Sequence, residues 1–200
     1  TDTMIEAGVK AYKDAGCDFC IAIGGGSPLD SGKAIAAMTE LEGNICDYMG
    51  TSIEGKFPKL VLIPTTAGTG SEATKFSIIT DTKNNIKMLL KGEALLPDLA
   101  IIDYKFSMTS PKSVTAATGM DALTHAIEAY TASLKSNFSD PLAMKAIEMV
   151  RDNLVKSYEG DEKARSLMHD AQCLAGMAFS NALLGIVHSM AHKVGAVFHI

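Results

Sequence analysis

The sequence lacks any long apolar run and any block of basic residues. No stretch reaches the roughly 18 to 20 apolar residues that a helix needs to cross a bilayer, and no charged and then apolar leader opens the chain. We therefore expect a cytoplasmic protein with no membrane partner. The formal net charge is −5, whereas surfaces that bind nucleic acid concentrate basic side chains. The expected partners are small molecules, and nucleic acid is not among them.

Cysteine is also scarce, with four residues in the whole chain. Cys17 and Cys20 have the C-x-x-C spacing of a redox or zinc half-motif, but no second pair accompanies them. Because Cys20 lies in an apolar run, we expect ordinary buried thiols. Cys46 and Cys173 are isolated in the sequence, so a disulfide framework is not expected.

The residues that are present, 47% hydrophobic and 20% charged, are typical of a globular chain with one large domain or two small ones. The first half alternates helical and strand patterns, which predicts an α/β fold. A capping box, Thr3-x-x-Glu6, predicts the start of a first helix. A buried strand over residues 19–23 then runs through a glycine turn into a second helix, for which Ser27 is the expected N-cap and Pro28 the first helical residue.

Further strand patterns follow the second helix. They cover residues 60–63, 76–80, 86–90 and 99–103. A polar turn separates the second of these from the third, which predicts a hairpin. From Ser110 onward the patterns are helical, with Ser110 as the expected N-cap and Pro111 as the first helical residue. We predict a domain boundary near Thr109, with an α/β domain over residues 1–109 and an all-α domain over residues 110–200.

Two loops have the composition of phosphate-binding loops. The turn Gly24-Gly25-Gly26-Ser27 joins a strand to a helix N-terminus, where free backbone N–H groups and the helix dipole favour an anion. It matches neither the dinucleotide fingerprint nor the P-loop, and three glycines can also form a plain tight turn. A second loop strengthens the functional interpretation, because it directly follows a strand, where ligands of open α/β sheets bind. Its hydroxyl groups and glycines are at Thr65, Thr66, Gly68, Thr69 and Gly70.

Acidic and histidine residues recur at helical spacing in the second half. Asp121 and His125 are four residues apart in a helical pattern, so both point from one face and can share a divalent cation. The alternative is a hydrogen-bonded Asp–His pair near a helix surface. His188 and His192 repeat the spacing, and His199 can share their face, which favours a set of convergent metal ligands.

Two observations limit this set. The segment from His188 to His192 has the spacing of the zinc-protease motif, but Ser189 stands where that motif has its glutamate base. The sequence therefore offers no general base for peptide hydrolysis at this motif. His169 lies in a charged helical stretch, and we expect it to be an exposed surface residue rather than a site residue.

Taken in order, four segments closely resemble the iron-containing (group III) alcohol dehydrogenase family, and the resemblance covers essentially the whole chain. They are GGGSPLDSGK (24–33), PTTAGTGSE (64–72), TGMDALTHAIEAY (118–130) and GIVHSMAH (185–192). The resemblance implies an α/β dinucleotide-binding domain followed by an all-α metal-binding domain, with cofactor and metal in the cleft between them. It implies an oxidoreductase that uses NAD or NADP, Fe²⁺ or Zn²⁺, and a small primary alcohol, diol or aldehyde.

The resemblance also implies a set of cofactor contacts. The residues that would hold the pyrophosphate are Gly25, Gly26 and Ser27. Asp30 would lie near the nicotinamide end of the cofactor. Contacts from later in the chain are implied at Thr65, Thr66, Thr69 and Lys87. An exposed strand lysine with no cofactor role is the alternative for Lys87.

The metal ligands implied by the resemblance are Asp121, His125 and His188. The family's fourth ligand, a histidine in a Pro-His-Gly motif, is expected just after Ile200, and His199 is not a ligand in the family pattern. His192 is not needed as a ligand, and it is our candidate for a catalytic proton relay to solvent.

Both domains are expected to be truncated. The first βαβ unit, whose acidic residue selects NAD over NADP, is missing from the pattern, so that choice stays open, as does the choice between iron and zinc. We expect the fragment alone to be inactive, and the full-length protein to be a homo-oligomer such as a dimer. It would be a stand-alone enzyme or the dehydrogenase half of a bifunctional aldehyde–alcohol enzyme. The alternatives are a relative with glycerol dehydrogenase-like or dehydroquinate synthase-like chemistry, or a non-catalytic nucleotide- or metal-binding fragment.

Overall fold

The computed structural model describes residues 1–198, so the prediction for His199 falls outside the described residues. In chain order the helices and strands are α1 (Asp2–Asp14), β1 (Phe19–Gly24), α2 (Gly26–Met38), β2 (Lys59–Pro64), β3 (Phe76–Asp81), β4 (Ile86–Lys91), β5 (Leu99–Ala100), α3 (Lys112–Thr131), α4 (Ser139–Glu159), α5 (Glu162–Ala182) and α6 (Ile186–Phe198). A parallel sheet followed by helices confirms the predicted fold class.

The parallel sheet has the order β1-β2-β5. β1 and β2 pair in register from Phe19 opposite Lys59 to Gly24 opposite Pro64. The backbone N–H of Thr65 then donates to the carbonyl oxygen of Gly24 at 2.9 Å. Because the two strands end side by side, the loops that follow them leave the sheet at the same edge, where ligands of such sheets bind.

Helix α2 lies against one face of this sheet. The side chain of Leu29 on α2 is fully buried and packs with Ala22 of β1 and Leu62 of β2. The close approach of helix and strand requires glycine at position 32, because a Cβ there would lie 2.5 Å from the Cβ of Ala22. This packing holds the N-terminus of α2 at the edge where β1 ends.

The hairpin β3–β4 forms a separate, antiparallel sheet, as the polar turn between the two patterns predicts. Alternate residues are buried, as expected for a sheet with one face on a core. The buried face, which includes Ile79 and Met88, packs against Ile5 of α1 and Ala34 of α2. Helix α2 therefore lies between the two sheets.

The helices α3, α4 and α5 pack together through alanine. The buried alanines on these helices are Ala122, Ala126, Ala129, Ala143, Ala146, Ala164, Ala171, Ala175, Ala178 and Ala182. Their spacing of three, four and seven residues keeps them on one face of each helix. Small side chains let helix backbones approach closely, which places residues of α3 directly against residues of α5.

Several predicted boundaries differ from the structure. α1 begins at Asp2, and its N-cap is Thr1, whose hydroxyl oxygen accepts from the Met4 N–H at 3.4 Å. The prediction that the capping box Thr3-x-x-Glu6 starts this helix is therefore wrong. α2 begins at Gly26, because Gly25 takes the extended conformation of an N-cap and Ser27 is already helical. Pro111, not Ser110, holds the cap position before α3. The last strand is short, Leu99–Ala100 rather than 99–103.

Two burial predictions are also wrong. His169 is buried, with only 1% of its surface exposed, because α5 packs between α3, α4 and the loop after β5. Cys17 is exposed and Cys20 only partly buried, while all four cysteines are unpaired, as predicted. No single helix among residues 1–198 is long and apolar enough to cross a membrane; α5 and the start of α6 meet the combined requirement of length and apolar composition only when taken together, across a 102° bend.

Candidate active site

The two glycine-containing loops are in contact at the sheet edge. A Cβ on Gly25 would lie 3.4 Å from the side chain of Thr66, and one on Gly26 would lie 2.9 Å from Thr69 Cγ2. Ser27 is exposed in the first turn of α2. The structure thus brings the first loop together with the threonines of the second and leaves the helix N-terminus open to solvent. This is an arrangement that suits a phosphate group.

Asp30 joins the first loop to its surroundings. Its Oδ1 accepts from the Ser71 hydroxyl at 2.6 Å, and its Oδ2 accepts from the Ile78 N–H at 2.7 Å. Burial raises the pKa of Asp30, against the opposing effect of the nearby Lys33 ammonium. Both carboxylate oxygens are engaged by the protein, so Asp30 ties α2 to the second loop and to β3.

The second loop rests on α5. The Gly70 N–H donates to Gln172 Oε1 at 2.6 Å. Gly70 has a φ of +60°, in the left-handed region that favours glycine. A Cβ on Gly176 would lie 2.7 Å from the Gly70 carbonyl oxygen. The loop and the helix therefore meet backbone to backbone, and α5 supports the position of the loop.

The same loop also touches α3. A Cβ on Gly68 would lie 2.7 Å from the carbonyl oxygen of Thr118. The Gly68 carbonyl oxygen in turn lies 3.3 Å from His125 Nδ1. A loop predicted to bind the cofactor is thus in contact with a residue predicted to bind metal.

The three predicted metal ligands converge. One ligand atom from each of Asp121, His125 and His188 lies within 4.8 Å of the others. Asp121 Oδ2 is 3.7 Å from His125 Nδ1, and Asp121 Oδ1 is 3.6 Å from His188 Nε2. The two imidazole rings are stacked with their centroids 4.2 Å apart. Asp121 and His125 share a face of α3 because they are one turn apart, whereas His188 arrives from the start of α6.

Burial and charge act differently on the two histidines. Burial lowers the pKa of His125 to about 4, although the Asp121 carboxylate opposes it. Burial also acts against protonation of His188, but hydrogen bonds to Asp121 and Glu128 outweigh it, and the pKa of His188 is raised. His125 is therefore a neutral imidazole at neutral pH, which is the form that binds a metal.

Two residues at this site were not predicted from the sequence. Phe179 of α5 stacks on the His125 ring with centroids 4.5 Å apart. Glu128, buried on α3, hydrogen-bonds His188 Nδ1 through Oε2. Glu128 follows Asp121 by seven residues, two turns along the same helix face, and that spacing could have indicated it. Nothing in the sequence indicates Phe179, because its contact depends on how α3 and α5 pack.

His192 and Lys87 lie at the open side of the cluster. The His192 ring is half-buried, and its centroid is 6.3 Å from that of His188. Burial lowers the pKa of His192, and the positive charges of His188 and Lys87 add to the effect. Lys87 is exposed on β4, near enough to His192 to act on it. The structure leaves both side chains accessible from solvent.

A second group of potential ligands, Asp2, Cys46 and Asp81, also lies close together. Its carboxylates are already engaged: Asp81 Oδ1 accepts from the N–H groups of Lys83 and Asn84 at 2.9 and 3.0 Å. Asp2 Oδ1 accepts from the Thr82 N–H at 3.2 Å. We interpret this group as an anchor that holds the turn of the hairpin against the start of α1.

Comparison with known protein families covers both halves of the chain. Residues 1–104 match the family described as iron-containing alcohol dehydrogenase, and residues 115–200 match the C-terminal part of the Fe-containing alcohol dehydrogenase family. The chain belongs to the iron-containing alcohol dehydrogenase family. The resemblance read from four sequence segments is therefore confirmed.

Individual members of the family support the assignment. The chain is 55% identical over 188 residues to an NADPH-dependent butanol dehydrogenase of Clostridium saccharobutylicum, covering 92% of this chain and 48% of that protein. It is 42% identical over 202 residues to an NAD-dependent methanol dehydrogenase of Bacillus methanolicus, covering 100% of this chain and 53% of that protein. The crystal structure of a 1,3-propanediol oxidoreductase superposes with a TM-score of 0.97 at 38% identity, over 100% of this chain and 53% of that one. The chain thus spans about half the length of these relatives.

Proposed function

We propose that the intact protein transfers a hydride between NAD(P) and a small primary alcohol, diol or aldehyde, with a divalent metal as Lewis acid. The contact between Gly68 and His125 carries this proposal. It joins a loop suited to a dinucleotide to a cluster suited to a metal, and these are the two parts that a metal-assisted dehydrogenase has to bring together. The alcohol dehydrogenase relatives support the class of substrate.

The donor set formed by Asp121, His125 and His188 fits a divalent metal. One carboxylate and two imidazoles suit both Fe²⁺ and Zn²⁺, and the family description favours iron. A metal held here would polarise the oxygen of the substrate.

The open N-terminus of α2 fits the cofactor. Backbone N–H groups of Gly25, Gly26 and Ser27 would bind the pyrophosphate, and Thr65, Thr66 and Thr69 would contact the cofactor from the second loop. A bound nicotinamide would exchange the hydride with the substrate. One relative is named for NADPH and another for NAD, so we propose NAD(P) without a choice between them. The role of Asp30 near the nicotinamide end and the role of Lys87 as a cofactor contact stay predictions.

His192 is our proposed proton relay. Its imidazole lies beside His188, on the solvent side of the cluster. The lowered pKa keeps the ring neutral at neutral pH, so that it can accept a proton from the alcohol and pass it to water. The division at residue 109, the homo-oligomeric state and the cytoplasmic location likewise stay predictions from the sequence.

Turnover by the product of the complete reading frame tests the proposal. We would measure NADH and NADPH oxidation with a panel of C3 to C4 aldehydes, before and after treatment with a chelator and after addition of Fe²⁺ or Zn²⁺. Asp121→Asn should abolish the activity, because the variant loses the charged ligand. Asp170→Asn, a matched change at an exposed position of α5, should leave it intact.

The outcomes separate the alternatives. Activity that disappears with the chelator and returns with metal supports the proposal. Binding of metal and NADH without turnover would instead indicate a non-catalytic module. Activity with glycerol alone, or a non-redox reaction with no change in NADH, would favour the glycerol dehydrogenase-like or synthase-like alternatives.

A further inference from the structure

We propose that Glu128 is a positioning residue that holds His188 in the one tautomer able to bind the metal. The inference rests on the proposed metal cluster of Asp121, His125 and His188, and it adds a residue that touches none of the reacting atoms. It concerns the far side of the His188 ring, away from the cluster.

The two nitrogens of the His188 ring face different carboxylates. Nε2 points toward the cluster and lies 3.6 Å from Asp121 Oδ1. Nδ1 is hydrogen-bonded to Glu128 Oε2. A carboxylate can only accept, so Nδ1 has to carry the proton and Nε2 keeps its lone pair. The lone pair then faces the place where Asp121 and His125 offer their own ligand atoms.

The other oxygen of Glu128 binds the backbone at the start of α6. Glu128 Oε1 accepts from the Val187 N–H at 2.7 Å, at the N-terminus of α6, where backbone N–H groups have no partner within the helix. Gly185 makes room for this contact, because a Cβ there would lie 2.9 Å from Oε1. One buried side chain thus fixes the start of α6 and the ring of the ligand that α6 carries.

Both contacts require an acceptor, which explains why a carboxylate is needed. A glutamine at position 128 has the same shape but only one acceptor oxygen. If its oxygen stayed on the Val187 N–H, its NH₂ would donate to His188 Nδ1 and the ring proton would move to Nε2, against the metal. If the amide turned over, its NH₂ would oppose the Val187 N–H. Outer carboxylate partners of this kind typically change metal affinity by roughly 10- to 100-fold.

The test is Co²⁺ binding to the metal-free intact protein, measured by competition with a chelator and by the visible absorption of the bound ion. Glu128→Gln should weaken Co²⁺ binding by roughly 10- to 100-fold, while the circular dichroism spectrum stays that of the wild type. Glu148→Gln removes the same charge at an exposed position of α4 and should bind Co²⁺ as the wild type does.

Unchanged Co²⁺ affinity and an unchanged absorption spectrum in Glu128→Gln would overturn the inference. A crystal structure of the Zn²⁺-loaded wild type decides the question even where the variant does not fold: coordination through Nε2 with Glu128 on Nδ1 supports it, and coordination through Nδ1 overturns it. Wild-type protein that binds Co²⁺ no better than Asp121→Asn would contradict the proposed function itself. Tight wild-type binding with no effect of Glu128→Gln contradicts only the role of Glu128.

Discussion

Gly26 and Thr69 belong to different loops, yet a Cβ on Gly26 would lie only 2.9 Å from Thr69 Cγ2. The parallel pairing of β1 with β2 brings these loops to one edge of the sheet. No side chain fits between them at Gly26. The proposed pyrophosphate site is therefore a surface of backbone N–H groups bordered by threonine hydroxyls, and its shape depends on this contact.

Gly26→Ala should weaken NAD(P)H binding. The added methyl group has to displace Thr69, and overpacking of this kind costs about 1 to 3 kcal/mol, where about 1.4 kcal/mol corresponds to a tenfold change in affinity. Fluorescence titration with NADH and NADPH measures the effect. Thr69→Ser removes the opposing methyl group and keeps the hydroxyl, so Gly26→Ala/Thr69→Ser should regain most of the lost affinity. A double variant no better than Gly26→Ala would show that the clash is not the cause.

Lys33 holds the segment after the second loop, and replacing it with methionine should destabilise the protein. Its ammonium group is buried, and it donates to the carbonyl oxygens of Thr74 and Phe76, both at 2.8 Å. Burial lowers the pKa of Lys33 to about 8, and the carboxylates of Asp30 and Glu72 oppose the effect, so it is charged at pH 7. Lys33→Met would leave these groups without a donor or counter-charge, at a cost of about 3 to 5 kcal/mol.

Urea denaturation at pH 7 measures the loss in Lys33→Met. Lys10→Met is the control, because Lys10 is exposed on α1 and forms a surface ion pair with Asp14. Surface ion pairs contribute about 0 to 1 kcal/mol, so the control should unfold close to the wild-type midpoint. Equal midpoints for both variants would mean that the buried contacts of Lys33 add nothing to stability.

The sequence predicts the parts of the site that depend on local spacing. Asp121 and His125 are one turn apart, so any helix through them places both on one face. Buried strands followed by glycine loops predict ligand binding at the strand ends. The arrival of His188 beside Asp121 is different, because it depends on the bend between α5 and α6 and on the packing of three helices. Residue spacing alone cannot predict this contact, and the prediction of His188 as a ligand came from the family resemblance.

His169 shows where the prediction from composition fails. A charged stretch predicts an exposed helix face, but Arg165, His169 and Gln172, spaced four and three residues apart, are all buried. Two of these polar side chains bind groups far away in the sequence: Arg165 donates to the Ser107 carbonyl oxygen at 2.6 Å, and Gln172 accepts from the Gly70 N–H of the second loop at 2.6 Å. Such a face follows the helical period, yet its partners lie far away in sequence and cannot be identified from composition.

Burial of His169 should make the protein less stable in acid. Burial lowers the pKa of His169 from 6.5 to about 4, and the nearby Arg165 adds to the shift. Between these values the unfolded chain binds a proton that the folded chain does not, so the stability present above pH 6.5 is lost as the pH falls toward 4. The loss from this one group is at most about 3 kcal/mol.

Urea midpoints of wild type and His169→Gln across this pH range test the assignment. The urea midpoint should fall less steeply with decreasing pH in the variant than in the wild type. The variant has no group to protonate at position 169 and should therefore lose less stability in acid. Other buried histidines titrate equally in both proteins, so the difference isolates His169. Parallel curves would show that His169 is protonated as readily in the folded protein as in the unfolded chain.

His192→Ala should lower turnover and remove the acid limb of its pH dependence. A general base contributes roughly 100-fold or more to a rate, and only the neutral imidazole can accept the proton released from the alcohol. Because burial lowers its pKa and the charge of Lys87 adds to the effect, alcohol oxidation by the wild type should fall only below the usual histidine range near 6.5. The measurement is kcat against pH for alcohol oxidation by the intact protein, with Lys193→Ala as the control on the same helix, since Lys193 is exposed. If His192→Ala turns over as fast as the wild type with the same pH dependence, the proton leaves the site by another route.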